Sequence, residues 1–485
     1  LAGIFAGRVT AAAAPMTASQ ELGLPTPRIV NGALTSLYPT TGALLTPGNP
    51  ASAGLTCSGT LIGCDTFMTA GHCVCNTIGP DCQGANAPNP ANFVVFLQHA
   101  GFFQVTSVAV NPNFHFPVGD VAILKLATPI TGIAPTSIDV ARAPAPGDAG
   151  TIVGFGRSGG SNFDYGLKRR GAVAIEPCTD GVSNSTSVCW SFTAPVGPPG
   201  DDSNTCNGDS GGSLFSDFGC GPTVSGITSG GSSGSCLTTD HSYDANVFFY
   251  RAYVQAQGGA DLDNTFCGDM PQAGDPNTSI LAASGTVSSG TPQATHSFAV
   301  PAGTTLLRVA MNAVDDGSDF DLYVKRGSPP TTTDFDCAAN GPAQFGFCEF
   351  ASPAEDIWYV LVNRFAGQGI YQITTTLFAS GAPSGGTNGQ PCDDQNICTD
   401  PDTCQSGACA GSPVVNGTAC DDGRACTSPD VCQSGSCTST AAPLAGCRRT
   451  FVAGKAALIL KDRFPDVRDS LAWKWLKGRA TTVAD

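Results

Sequence analysis

Charge is scarce in this chain. Only 13% of its 485 residues are Asp, Glu, Lys or Arg, and the balance is acidic, with a formal net charge of -16. Nucleic acid is bound by clustered Lys and Arg that neutralise phosphate, so that class of partner is excluded. No apolar run is long enough to cross a bilayer. Histidine is rare as well: His72, His99, His115, His241 and His296 are the full set of five. Any imidazole chemistry must draw on one of these. Cysteine and glycine, by contrast, are plentiful, at 22 and 60 residues. So many thiols are hard to keep reduced, which points to disulfides and a secreted, extracellular location.

The length predicts two to four domains rather than one core. Residues 1–28 read as a signal remnant and propeptide: LAGIFAG followed by AAAAP has the small-residue pattern of a cleavage zone. Residues 29–262 form a β-rich block. Short strands such as NFVVFLQ, DVAILKL and GTIVGFG alternate with Gly, Pro, Asn and Ser, and one helix candidate, FFYRAYVQA, closes the block. A linker is expected over 263–284 and a second β block over 285–378, with Cys337 and Cys348 paired inside it. ASGAPSGGTNGQ marks a further linker over 379–389.

Residues 390–447 carry an internal repeat. Cys392, Cys398, Cys404 and Cys409 recur 28 residues on as Cys420, Cys426, Cys432 and Cys437. Apolar residues are nearly absent there, so disulfides must supply the stability. Zinc ligation is the weaker rival, because no His accompanies the cysteines and the spacing lacks a close pair. The acidic pairs in these repeats, and the cluster Asp315, Asp316, Asp319 and Asp321 upstream, read as turns rather than calcium ligands. Residues 448–485 read as the start of a further, truncated domain.

One stretch asks for a chemical explanation: TCNGDSGGSLF, Thr205–Phe215. Glycine at this density weakens regular structure. A tight turn that presents a serine oxygen beside free N–H groups would account for it. Serine needs a base, and the base needs an orienting carboxylate. His72 in FMTAGHC is the best-placed histidine, since Cys57 in TCSGTLIG lies where a bridge to Cys73 would fix the His loop. Asp120 in VGDVAILKL stands where a strand enters the core. Alone it reads as a turn residue. Together the three occur in the order His72, Asp120, Ser210, spaced by 48 and 90 residues.

AGHC, GDVAIL and GDSGG in this order resemble the chymotrypsin-like serine proteases, over Ile29 to about residue 262. The resemblance implies an all-β fold: two six-stranded antiparallel β-barrels, followed here by a β-sandwich and small disulfide-rich repeats. It implies that His72, Asp120 and Ser210 are catalytic, and that Gly208 and Ser210 supply the oxyanion hole. It implies zymogen activation by an activating protease between Arg28 and Ile29 in PTPRIVNG, the new ammonium pairing with Asp209. It implies bridges Cys206–Cys236 and Cys178–Cys189. It places Asn204 at the floor of the primary pocket, where a trypsin-type pocket carries Asp, and Ser229, Gly230 and Gly231 along its wall. An uncharged Asn204 weakens the case for basic substrates, unless Asp201, Asp202 or an acid after Cys236 contributes. Cys64, Cys75, Cys82, Cys220 and Cys267 have no assigned partner.

The second β block, through HSFAVPAGTTLLRVAM, SDFDLYVKRG and WYVLVNRFAGQGIYQI, resembles a bacterial pre-peptidase C-terminal domain. That likeness implies secretion, with removal during maturation or attachment to a surface or matrix. The expected activity is that of a secreted serine endopeptidase acting on protein or peptide, with no metal or organic cofactor. Two alternatives stand beside it: a catalytically weak domain serving an adhesive protein, and an esterase.

Overall fold

The structure is a computed structural model. It describes residues 29–75, 82, 86–140, 142–194, 196–237, 239–264, 267, 280–315, 317–379, 396–405, 408–421, 429–439, 456–461 and 470–475. Arg28 and the segment before it, most of both expected linkers, and Cys392 and Cys426 lie outside these residues. The chain divides into two compact units, residues 1–390 with 404–409, and the remainder. No helix among the described residues is long and apolar enough to span a membrane.

The first unit opens with a short strand, β1 (Ala33–Leu34). Next come β2 (Thr41–Thr46), β3 (Gly54–Leu61), β4 (Thr66–Thr69), β5 (Val94–Leu97), β6 (Gly101–Val110) and β7 (Ala122–Leu126). These six close into a barrel in the order β2-β3-β4-β7-β6-β5. Leu44, Phe67, Val95, Leu97 and Leu124 fill it without exposure. The chain then builds β8 (Ala149–Gly154), β9 (Arg169–Ala174), β10 (Ser187–Phe192), β11 (Ser213–Asp217), β12 (Pro222–Gly231) and β13 (Asp240–Asn246). Their order is β1-β9-β8-β11-β12-β13-β10, so β1 is added to the edge of the six expected strands. A bridge from Glu176, just past β9, to Cys189 of β10 draws the two ends of the sheet together. The single helix α1 (Val247–Gly258) follows, capped by Asn246, whose Oδ1 accepts from Phe249 N at 3.2 Å.

Disulfides tie this region at its loops. The pairs are Cys57–Cys73, Cys64–Cys267, Cys75–Cys82, Cys178–Cys189 and Cys206–Cys236. Cys64–Cys267 closes a separation of 203 residues, from the β3–β4 turn to the chain beyond the helix.

The same unit contains a β-sandwich. Its strands are β14 (Ile280–Val287), β15 (Gln293–Val300), β16 (Thr304–Ala313), β17 (Asp319–Arg326), β18 (Cys337–Ala339), β19 (Phe345–Ala351), β20 (Asp356–Ala366) and β21 (Gly369–Ala379). One sheet runs β14-β21-β16-β19 and the other β15-β20-β17-β18. The bridge Cys337–Cys348 joins the two sheets.

The first of these sheets is buried on both faces. Period-two alternation sends Leu307, Val309, Met311 and Ala313 into the sandwich core. The intervening Arg308, Ala310 and Asn312 face the barrels instead. Arg308 Nη1 donates to Thr131 O at 2.6 Å, Ala310 packs in a cluster with Phe96, Phe155 and Phe345, and Asn312 accepts from Gln98 Nε2 at 2.8 Å. On β21, Gln372 Oε1 accepts from Lys168 N at 2.7 Å, and Thr376 Oγ1 meets His99 Nδ1 at 3.0 Å. This seam is buried, apolar in its middle and hydrogen-bonded at Arg308, Asn312, Gln372 and Thr376, while among the described residues Gln98 Oε1 and Thr374 Oγ1 are buried without a partner.

In the second unit the disulfides Cys398–Cys432 and Cys420–Cys437 are present. The first links one repeat to the next, and the second closes a loop within the second repeat. Cys398 and Cys432 are fully buried, with almost no other core among the described residues of this segment.

His99 gives the seam a pH response. It is fully buried, with Nε2 2.7 Å from Ser36 O. Burial, with Lys168 and Arg308 nearby, lowers its pKa to about 3. A base held neutral when folded but free to protonate when unfolded contributes stability above about pH 6.5, and that stability is lost as pH falls toward 3. Between pH 7 and pH 5 the loss from this group is about 2 kcal/mol. Denaturant unfolding of wild type and His99→Gln across that range is the check, with a flatter profile expected for the variant.

Candidate active site

Strand pairing brings two distant segments together. Thr69 of β4 lies opposite Ala122 of β7. The chain leaving β4 therefore runs beside the chain entering β7, which puts His72 next to Asp120. His72 N donates to Asp120 Oδ1 at 2.9 Å, and His72 Nδ1 lies 2.7 Å from Asp120 Oδ2. Gly71 makes this approach feasible: a Cβ there would stand 3.1 Å from the Phe114 ring and 3.3 Å from Asp120 Oδ1. Asp120 is fully buried, and a third donor, Ser229 Oγ of β12, reaches its Oδ2 at 2.5 Å. With Nδ1–H given to the carboxylate, Nε2 of neutral His72 is left as an acceptor. The ring stands edge-on to Phe116, with centroids 5.5 Å apart.

The Gly-rich stretch is a tight loop between Cys206 and β11. Gly208 and Gly211 hold φ of 89° and 80°, conformations that disfavour any side chain. At Gly211 a Cβ would lie 2.1 Å from Thr69 Oγ1. Ser58 of β3 grips the loop from the first barrel. Its N donates to Ser210 O at 2.8 Å and its Oγ to Gly208 O at 2.9 Å, while Phe155 N donates back to that Oγ at 2.9 Å. The neighbouring Asp209 N and Gly211 N are used by Cys206 O and Thr228 O. Among the described residues the N–H groups of Gly208 and Ser210 make no hydrogen bond. Ser210 and His72 line one cleft of about 390 Å³, together with Ser229, Gly230 and Gly231. No hydrogen bond joins His72 to Ser210 among the described residues, the looser spacing found in sites without substrate.

Asp209 points away from the cleft. It is buried, with Oδ1 accepting from Gly156 N at 2.7 Å and Oδ2 from Cys206 N at 2.9 Å. Burial raises its pKa to about 7, against the pull of those two N–H groups and of Arg169. Ile29 is buried in a cluster with Ile152, Val173, Trp190 and Leu214. Val30 and Asn204 exchange backbone hydrogen bonds at 3.0 and 3.1 Å, which fixes the segment that begins at Ile29. Ile29 itself has φ of 43°, strained for a β-branched residue.

Asn204 is fully buried and does not line the cleft. Its Oδ1 accepts from Trp190 Nε1 at 3.1 Å and Ser242 Oγ at 2.6 Å, and its Nδ2 donates to Cys236 O at 3.2 Å and Asp240 Oδ2 at 2.8 Å. Its hydrogen-bonding capacity is spent on the protein. The carboxylate that does line the cleft is Asp240, at the start of β13. It also accepts from Ser233 N at 2.8 Å and Ser232 Oγ at 3.3 Å, and no cation pairs with it among the described residues. Sequence reading allowed for Asp240 only as an unnamed acid after Cys236, and passed over Ser58. The signal for Asp240 was present, since Asp240, Ser242 and Asp244 recur at the strand period in a segment otherwise polar. Nothing in the sequence marked Ser58. At Gly230 the hydroxyl of Tyr243 stands 2.7 Å from where a Cβ would be, so Tyr243 backs the wall of the cleft there.

Residues 32–252 match the family described as Trypsin, and residues 293–364 match the bacterial pre-peptidase C-terminal domain. Xanthomonalisin of Xanthomonas sp. (strain T-22) is 48% identical over 48 residues, which is 10% of this chain and 6% of that protein. The chain thus spans only a small part of that relative. With the closed barrel, the seven-stranded sheet, the helix and the appended sandwich described above, the chain carries a trypsin-family domain over residues 32–252 and a bacterial pre-peptidase C-terminal domain after it.

Proposed function

We propose that the protein is a serine endopeptidase whose catalytic groups are Ser210, His72 and Asp120. The observation that carries this is the fully buried Asp120, bonded twice to His72, with the His72 ring and Ser210 facing one cleft. Ser210 Oγ attacks the scissile carbonyl carbon as His72 Nε2 takes its proton. The carbonyl oxygen becomes an oxyanion and accepts hydrogen bonds from the unused N–H groups of Gly208 and Ser210. The C–N bond then breaks, and His72 gives the proton to the departing amine. Water repeats the sequence on the ester, and the second chain is released. Asp120 holds the ring and stabilises its charged form. Ser210→Ala is expected to lower kcat on casein peptides about a million-fold. Ester turnover that persists in wild type with no casein cleavage would favour the esterase reading, and no labelling of Ser210 by an organophosphonate would favour an adhesive protein.

The primary pocket selects a cationic side chain through Asp240. That carboxylate lines the cleft, is held by four donors and lacks a counter-cation of its own. A substrate Lys or Arg would supply the missing charge. Replacing Asp240 by Asn is expected to reduce kcat/KM for Arg substrates about 100-fold or more, and to spare substrates with neutral side chains. A peptide-library profile of both proteins is the measurement.

The chain is made as a zymogen and exported, and the many disulfides fit an oxidising compartment. Cleavage after Arg28 removes the strained φ of Ile29 and frees an ammonium for Asp209. In the uncleaved chain the raised Asp209 pKa works against folding: the unfolded carboxyl ionises near pH 4 and the folded one near 7. Stability is therefore highest below pH 4 and falls as pH rises to 7, by on the order of 4 kcal/mol from this group. Pairing with the ammonium abolishes the slope. Unfolding of Arg28→Gln protein, which stays uncleaved, compared with cleaved wild type from pH 4 to pH 7, is expected to show this difference.

A further inference from the structure

The sandwich reaches the catalytic centre from behind. Asp315 follows β16 and lies at the seam with the barrels. Its N donates to Tyr165 O at 2.8 Å, and its Oδ2 accepts from Leu55 N at 2.6 Å. These two partners border the loop that carries Ser210. A Cβ built on Gly208 would stand 3.0 Å from the Tyr165 ring and 3.3 Å from Leu55 Cδ2. One residue of the sandwich thus fixes, through two backbone hydrogen bonds, both side chains against which Gly208 rests.

The neighbouring contacts act on the same segment. Asn312 Nδ2 donates to Gly166 O at 2.8 Å. Gln372 accepts from Lys168 N at 2.7 Å and donates to Lys168 O at 3.2 Å. Gly166 has φ of 88° and meets Ala313 O so closely that a Cβ would lie 2.3 Å from it. Residues 165–168 are therefore held by backbone hydrogen bonds to the sandwich. The chain on either side of them is joined to the catalytic loop: Gly156 N donates to Asp209, and Arg169 Nη1 donates to Gly156 O at 2.5 Å.

We propose that Asp315 is a positioning residue for the oxyanion-binding loop, so that the sandwich is a working part of the peptidase rather than an appendage to be shed. This rests on the peptidase reading given above. The Gly208 N–H is useful only if it points at the developing oxyanion. Two rigid side chains held from behind restrict where the loop can lie. Loss of the Leu55–Asp315 hydrogen bond would let that backing shift, and displacement of a catalytic group by a fraction of an ångström is expensive in rate.

The test uses the full chain, cleaved after Arg28, as wild type, Asp315→Ala, Asp315→Asn and Arg308→Ala. Arg308 anchors the seam at Thr131 and His99, on contacts that do not touch the Gly208 loop. Peptide-amide hydrolysis, inhibition by a peptide boronic acid and thermal unfolding are measured for each. For Asp315→Ala, kcat is expected to fall about 10- to 100-fold, with boronate affinity reduced by the same factor. KM is expected to stay within about two-fold, since ground-state binding is untouched. Asp315→Asn keeps an acceptor for Leu55 N and is expected to recover most of the rate. Arg308→Ala is expected to melt lower yet keep its kcat. Should Asp315→Ala not accumulate folded, Asp315→Ser, too short to reach Leu55 N, is read the same way. An Asp315→Ala kcat close to wild type overturns the proposal. So does an equal loss in Arg308→Ala, or no recovery in Asp315→Asn. Wild type that hydrolyses no peptide overturns the peptidase reading itself and this proposal with it.

Discussion

A carboxylate cut off from water must have its oxygens engaged by the protein, and Asp120 sets that condition for the whole catalytic domain. Its three donors come from two places that the chain order keeps far apart. His72 belongs to the first barrel, and Ser229 to β12 of the second. Removing either side leaves a buried charge underpaired, which costs several kcal/mol. The closed barrel and the seven-stranded sheet therefore cannot drift apart without exposing this group. The seam between them is also where Ser58 reaches across to the loop of Ser210. The same interactions that join the barrels place the chemical groups.

The glycines of the Ser210 loop belong to this constraint. Gly208 and Gly211 take up positive φ, and Gly211 packs against Thr69 and Ser58 with no room for a side chain. The loop is thus compressed between Ser58 and Thr69 on one side and Tyr165 and Leu55 on the other. Such compression leaves the N–H groups of Gly208 and Ser210 without protein partners. Unpaired N–H groups are unfavourable when buried, and here they face a cleft where solvent or a substrate carbonyl can accept from them. The seam with the sandwich extends the packing one layer further from the chemistry.

Much of this was legible in the sequence, and the reasons differ by element. His72, Asp120 and Ser210 each sit in a short segment whose neighbours are small or apolar, so a polar residue there stands out. The two β blocks and the helix were visible through alternation and Gly or Pro punctuation. The double burial of β16 was half visible: TTLLRVAMNA is nearly continuous in apolar residues, as a strand covered on both faces must be. What covers its second face was not readable, because Arg308, Asn312, Gln372 and Thr376 look like solvent-facing positions of an ordinary sandwich. Their partners, Thr131, Gln98, Lys168 and His99, are equally unremarkable in sequence. Asp315 read as a turn residue within an acidic cluster for the same reason. Asn204 misled in a different way. It stands where the resembled family places the pocket floor, yet its hydrogen bonds are consumed by Trp190, Ser242, Cys236 and Asp240.

Asp209 and Asp240 complete the electrostatic logic. Asp120 is satisfied by neutral donors and a histidine ring, and Asp164 by Arg169 at 3.2 Å. Asp209 and Asp240 are just as buried, but each is held by hydrogen bonds without an ion pair among the described residues. A buried carboxylate in that state is a standing attraction for a cation of fitting shape. The two differ in what can reach them. Asp209 faces the interior beside the buried Ile29 segment, where, on the proposed zymogen reading, the ammonium created by cleavage would fit. Asp240 faces the open cleft beside Ser210, so the cation that fits arrives on another chain. On the proposed reading, the first carboxylate governs when the site is organised, and the second governs which bond is brought to it.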